Sequence, residues 1–139
     1  MPNIVTTNNF RELAITSGVN LSLDTFAVSL MDIYVQSATV TTLKEITNWS
    51  QVSAHEVTGT GYSRQTITIP TITEDNDIVR WNASNVNWNN VSVSTYGYTI
   101  YRISDGMVLG FVEFNTTPQV ANNGSLTIQW NTSGILNIF

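Results

Sequence analysis

The sequence predicts an all-β fold, an antiparallel β-sandwich of jelly-roll type with short helical turns in the N-terminal third. From residue 26 onward, short segments with strand-like alternation follow one another closely. Glycine and asparagine, which favour turns, lie between them. Charged residues make up only 11% of the chain, against roughly 25% in ordinary domains. The 139 residues suit one domain, which we place at residues 8–139 behind an extended arm at 1–7.

The arm is polar apart from Ile4 and Val5, and Pro2 has no backbone N–H to donate. Strand addition at an open sheet edge needs few particular side chains, so a short arm of this kind can bind a partner. The candidate partner-binding residues are Pro2, Asn3, Ile4 and Val5. A frayed terminus is the alternative.

Helical signals lie on both sides of a strongly apolar strand. Asn8 or Asn9 is expected to cap a short helix that ends near Gly18. Residues 26–35 are apolar at nearly every position, which predicts a central strand buried on both faces. Thr42 and Glu45 resemble a capping box, so we expect one or two helical turns in residues 41–56.

Gly59 and Gly61 are expected to shape a fixed turn, because glycine adopts backbone angles forbidden to other residues. The pair does not resemble a nucleotide-binding loop, since no lysine follows and no helical pattern begins after it. The signal therefore indicates architecture and not catalysis.

The rest of the chain reads as strands separated by turns. The apolar phase changes between Trp88 and Val91, and a one-residue bulge at Asn89–Asn90 would keep both side chains inward. Ser104-Asp105-Gly106 is typical of a tight hairpin. The predicted strands are 65–69, 78–81, 86–93, 96–103, 107–114, 126–130 and 135–139, with further turns at 74–77 and 122–124.

Composition argues against several classes of partner. The net charge is −5, and the five basic residues are scattered, so a nucleic-acid partner is not expected. The chain has no cysteine and therefore no thiolate metal site or cysteine nucleophile. No apolar run is long enough to span a membrane, and residues 1–5 lack the pattern of a signal peptide.

His55 is the only histidine and so the only candidate for a histidine general base. Its neighbour Glu56 is expected to point to the opposite face of an extended segment. With no recognisable nucleophile or orienting acid, His55 is expected to have a structural or surface role. We therefore predict no enzyme activity, no catalytic residue and no cofactor.

Two further groups allow a functional and a structural interpretation. Glu74, Asp75 and Asp77 together could bind calcium, but the EF-hand spacing is absent and a solvated acidic turn is favoured, so no metal site is predicted. Large aromatic side chains could form a sugar-binding platform, although a core or interface role is favoured. The tryptophans concerned are Trp49, Trp81, Trp88 and Trp130.

Seven segments resemble a family of small structural proteins of tailed bacteriophages. They are DTFAVSL (24–30), EVTGTGY (56–62), VNW (86–88), YTIYR (98–102), LGFVEF (109–114), LTIQWN (126–131) and GIL (134–136). The resemblance covers most of the chain from about residue 20, but residues 36–42 lack the loop charge that is common in the family.

The resemblance implies a capsid decoration or cement protein, made in the bacterial cytoplasm and placed on the outside of the virion. Its partner would be the major capsid protein, and no catalytic residues are carried over. A tail, baseplate or head-fibre component is the first alternative, and a carbohydrate-binding β-sandwich module is the second. A homo-oligomer, dimer or trimer, is expected from the low-charge surface with surplus aromatics.

Overall fold

The protein is described by a computed structural model, in which residues 4–75, 77–114, 118–130 and 135–138 are described. Strand accounts for 45% and helix for 19% of the chain, and all strand pairs are antiparallel. The all-β prediction is therefore confirmed at the level of fold class.

Ten strands form three sheets within the described residues. The strands are β1 (Val5–Thr6), β2 (Phe26–Met31), β3 (Gln65–Thr66), β4 (Thr71–Asp75), β5 (Ile78–Asn82), β6 (Val86–Thr95), β7 (Gly97–Arg102), β8 (Val108–Glu113), β9 (Gln119–Ile128) and β10 (Leu136–Ile138). The central sheet has the order β1-β8-β7-β2-β3. A second sheet has the order β10-β5-β4, and β6 with β9 forms a two-stranded ribbon.

The central sheet is covered on both faces. Every residue of β2 is buried, and the strand lies between β7 and β3, so the prediction that it lies inside the sheet is confirmed. Phe26, Val28 and Leu30 enter a core shared with β5, β6 and β9, whereas Ala27 and Met31 enter a second core. This second core is covered by helices α2 (Tyr34–Ser37) and α3 (Val40–Glu45) and by a 3₁₀ turn at Trp49–Gln51. A second 3₁₀ turn follows at Ser53–His55.

Strand β2 ends at Met31, four residues before the predicted end. Asp32 Oδ1 accepts a hydrogen bond of 2.9 Å from the backbone N–H of Tyr34, and the N–H of Asp32 donates to the carbonyl of His55. An aspartate that bonds two residues ahead turns the backbone out of the extended form. Residues 33–35 therefore leave the sheet although they are apolar.

Helix α1 (Asn8–Ile15) was expected, but its cap is Thr7 and not Asn8 or Asn9. Thr7 Oγ1 accepts from the N–H of Phe10 and donates to the carbonyl of Val108 over 2.6 Å. The cap is thus anchored on β8, which the local sequence could not reveal. At the other end the left-handed residue is Ser17, with φ of 64°, while the Gly18 N–H bonds to the carbonyl of Leu13.

The predicted capping box at Thr42 and Glu45 is wrong. Thr39 caps α3 by accepting from the N–H of Thr42. A capping box lies instead at Asn48 and Gln51, whose side chains satisfy each other's backbone N–H groups.

The predicted bulge in β6 is confirmed, since the register shifts between Trp88 and Val91, and Asn90 has a φ of 52°. The predicted turn at 122–124 is wrong, because those residues lie inside β9. Asn123, with a φ of 50°, forms a second bulge there. The two bulges offset each other, so the apolar sides of β6 and β9 stay on the core.

The remaining predicted strands are present, but they begin or end at other residues than predicted. Gly106 has a φ of 80°, as a tight hairpin requires. The segment predicted at 65–69 is a strand only at Gln65–Thr66, since Ile69 has a φ of 52° and is exposed. Glu74 and Asp75, expected in a turn, belong to β4, and β10 spans Leu136–Ile138.

Candidate functional site

The segment with Gly59 and Gly61 crosses the backbone of β6 at close range. Thr60 forms a bridge with Ser92, whose N–H donates to the Thr60 carbonyl over 2.9 Å. A Cβ at position 59 would overlap the Ser92 carbonyl oxygen, and one at position 61 would overlap that of Asn90. Gly61 also has a φ of 78°, so neither position has room for a side chain.

Immediately after this turn, a polar cluster forms around Glu56. Tyr62 donates its hydroxyl to Glu56 Oε2 over 2.7 Å, and Arg64 Nε donates to both carboxylate oxygens at 3.0 Å. Glu56 is largely buried, whereas nearly half of the Arg64 side chain is exposed. The Glu56 carboxylate thus accepts hydrogen bonds from both Tyr62 and Arg64, which fixes the geometry of the ion pair.

Aromatic rings hold the other side of Arg64. Its guanidinium lies 5.4 Å from the centre of the Trp49 ring and 6.0 Å from that of Tyr101. These two rings stack at 4.8 Å with an angle of 5°, and Arg64 also donates to the Tyr101 hydroxyl over 3.1 Å. The cation is therefore held on two sides within the fold.

The cluster completes the edge of the central sheet. The Tyr62 hydroxyl accepts from the backbone N–H of Leu30 at 3.0 Å, in the gap between β3 and the bridge of Met31 with Glu56. Burial and the hydrogen bond to Glu56 raise the pKa of Tyr62, so the phenol stays neutral and can donate. The arrangement can hold the sheet edge together. The charge of Glu56 is paired with that of Arg64.

Sequence reasoning did not identify this cluster. Tyr62 and Arg64 are two residues apart and so share one side of an extended segment, which is the signal that was available. The partners Glu56 and Tyr101 come from elsewhere in the chain, and only the fold brings them together.

His55 has partners that the sequence did not show. Its Nδ1 lies 3.3 Å from Asp32 Oδ2, and its ring stacks on Tyr34 at 4.2 Å. Both polar side chains are partly exposed. These contacts join the end of β2 to the second 3₁₀ turn, as expected of a structural histidine. A catalytic histidine would also need a nucleophile in reach, and the contacts of His55 here are to Asp32 and Tyr34.

The proposed calcium ligands do not form a metal site in the part of the chain that is described. No group of three potential ligands comes together there. Glu74 and Asp77 are exposed, and the Asp75 side chain lies outside the described residues. A solvated acidic hairpin remains the interpretation.

All four tryptophans are buried, with only 1–7% of each residue exposed. The indole N–H groups of Trp81, Trp88 and Trp130 donate to backbone carbonyls. The core interpretation is therefore confirmed, and these rings form no exposed platform for a sugar.

The candidate partner-binding residues fall into two parts. Ile4 and Val5 pack against the two cores, and Val5 pairs with Phe111 of β8. Residues 5–6 thus form an edge strand of the central sheet, so part of the predicted arm belongs to the domain. Pro2 and Asn3 lie outside the described residues, and their role stays a prediction.

Comparison with known proteins finds no relative. No family model, curated protein or solved structure matches the chain at a significant level. Each helix in the described part of the chain is too short or too polar to cross a bilayer.

Proposed function

We propose that this protein is a capsid decoration protein, which binds the outside of an icosahedral phage head and stabilises the shell of major capsid protein. The observation that carries the proposal is the resemblance to phage structural proteins. The jelly-roll connection of the sheets is part of the same proposal.

The segments that carry the resemblance coincide with the structural framework. Residues 24–30 contain most of β2, and residues 98–102 and 109–114 contain most of β7 and β8. Residues 56–62 supply the glycines and the tyrosine that close the sheet edge. The resembling pattern therefore specifies a rigid β body, which is what a shell cement needs.

The exposed surface also supports adhesion. Only 11% of the residues are charged, and Glu56, Arg64 and Arg102 are bound to other groups of the fold. The exposed surface therefore has few unpaired charges beside its amides and hydroxyls. Such groups pack against a neighbouring protein with little dependence on salt.

Placement and copy number in the particle test the proposal. We expect density for this chain on the outer face of the head and a copy number close to that of the shell protein. Density confined to the tail, baseplate or a fibre, with far fewer copies, would instead support the alternative placement.

A binding experiment tests the arm. Purified heads that lack the protein are mixed with the intact chain or with a variant from which Pro2 and Asn3 are deleted. We expect the deletion to reduce co-sedimentation with heads while thermal unfolding is unchanged, because β1 begins at Val5. The matched control is Val120→Ser, an exposed change on β9. Equal binding by the deletion variant and the intact chain would remove the arm from the interface.

A further inference from the structure

The β6/β9 ribbon is the uncharged part of this protein. No Asp, Glu, Lys or Arg occurs from residue 81 to 101 or from 114 to 139, so the ten acidic and five basic residues all lie elsewhere. The outward positions of the ribbon are amides and hydroxyls, together with the exposed Val120. They include Asn87, whose Oδ1 accepts from Thr127 of the opposite strand over 2.7 Å.

Strand β9 is also an edge. It pairs with β6 on one side, and its other side has no strand neighbour within the described residues. Unpaired edges invite pairing with another chain, and proteins ordinarily protect them with charge, proline, bulges or short length. Ten residues without a charge or a proline are poorly protected. The bulge at Asn123 leaves residues 124–128 as an unbroken segment.

The other sheet edges are protected. Strand β4 carries Glu74 and Asp75 and is followed by Asp77. Strands β1 and β3, at the edges of the central sheet, have two residues each, and β10 has three. The outer side of β6 is partly occupied by Thr60, which pairs with Ser92. Among the strands of the described residues, the unprotected edge is thus that of β9.

We propose that β9 pairs antiparallel with β9 of a second copy of this chain, which joins two ribbons into one four-stranded sheet. A second copy fits because the segment is neutral, so two molecules that each carry a net charge of −5 meet where neither contributes charge. An acidic or basic partner strand would find no complementary charge on β9.

A two-fold axis through Leu126 gives a self-complementary register. Ser125 then lies opposite Thr127 of the second copy, and small hydroxyl residues pair well across antiparallel strands. Leu126, which is half-buried, meets its own counterpart, and Gly124 lies opposite Ile128. Two-fold pairing is the commonest symmetry of homo-oligomers. The inference does not depend on the proposal of shell binding.

The test uses the isolated full-length protein and two charge variants. Ser125→Glu/Thr127→Glu places like charges opposite each other across the axis, and Ser125→Lys/Thr127→Lys does the same with positive charge. We expect dimers of the unaltered protein by sedimentation equilibrium, and association weakened at least about tenfold in either variant alone. An equimolar mixture of the two variants should recover the dimer. The matched control, Thr71→Glu/Thr73→Glu, changes alternate exposed positions of β4 and should dimerise normally.

Three results would overturn the proposal. The unaltered protein could be monomeric up to its solubility limit. In that case β9 does not pair with itself, and its edge is open to a strand of another protein. The variants could dimerise as well as the control, or their mixture could fail to recover the dimer although each is folded by circular dichroism. Should a variant not fold, amide hydrogen exchange of the unaltered protein decides: exchange across residues 124–128 must slow as protein concentration rises.

Discussion

The backbone at Gly61 lies so close to the Asn90 carbonyl that position 61 has no room for a side chain. Both residues have positive φ, 78° at Gly61 and 52° at Asn90. The turn at Gly59–Gly61 therefore packs directly against the β6 bulge at Asn90. A local glycine signal and a local bulge signal, which lie almost thirty residues apart, are two halves of one contact.

Gly61→Ala should destabilise the protein by at least about 1–3 kcal/mol, because alanine is strained at positive φ and its Cβ would overlap the Asn90 oxygen. The matched control is Gly124→Ala, where the nearest atom to an added Cβ is 3.8 Å away. Equilibrium unfolding in urea measures both. Equal stability of the two variants would contradict the close approach.

Much of the fold could be predicted from the sequence where the signal is local. The bulge in β6 follows from the phase change between Trp88 and Val91, and the hairpin at Gly106 follows from its turn residues. The interior position of β2 follows from its largely apolar sequence. Each of these signals lies within one element and its alternation.

The rest depended on distant contacts. Asn123 resembles a turn residue, but pairing with β6 holds it in a strand as a bulge. Thr7 caps α1 because it is anchored on Val108, about a hundred residues away. The partners Glu56 and Tyr101 meet Arg64 only in the folded chain, so spacing could indicate only that Tyr62 and Arg64 share one side of a segment.

Trp130→Ala should lower the free energy of unfolding by about 3–5 kcal/mol, since the residue is only 6% exposed and its removal leaves a cavity against Tyr98. Trp130→Phe should cost less, because it keeps a six-membered aromatic ring in the core, although it loses the rest of the indole and its hydrogen bond to the Ser84 carbonyl. Val120→Ala, at a residue 67% exposed, is the control. A variant Trp130→Ala that unfolds at the same urea concentration as the control would show that this side chain is peripheral.

Tyr62→Phe should cost about 1–3 kcal/mol, because the Leu30 N–H loses its acceptor and Glu56 loses a donor. Tyr34→Phe is the matched control, since its hydroxyl has no hydrogen bond to the described part of the chain while its ring stacks on His55. Urea unfolding compares the two. If both variants are as stable as the unaltered protein, the phenol does not close the sheet edge.

Alkaline pH should destabilise the protein through Tyr98. Burial raises the pKa of this phenol above its ordinary value near 10, so the unfolded chain loses the proton first. The contribution of Tyr98 is therefore fully present below about pH 10 and falls above it by up to about 1.4 kcal/mol per pH unit. Tyr62, whose pKa is also raised, adds a fall of the same sign. Tyr98→Phe should flatten this fall in urea unfolding between neutral and alkaline pH. An unchanged slope in Tyr98→Phe would show that the buried phenol ionises freely.

Acid should weaken the loop that Arg102 holds together. Its hydrogen bonds lower the pKa of Asp105, and the Asn20 N–H, aided by Arg102, lowers the pKa of Asp24. A carboxyl with a depressed pKa contributes stability above its ordinary pKa, near 4, and this contribution is lost as pH falls through the folded-state value. Arg102→Met should therefore lower stability at pH 7 and reduce the further loss on acidification, measured by thermal unfolding from pH 7 to 2. Arg11→Met removes the same charge from an exposed helix position and should leave the acid profile unchanged. If Arg102→Met and Arg11→Met lose stability equally on acidification, the acid response depends on net charge. The bonds of Arg102 to Asp24 and Asp105 would then not be its cause.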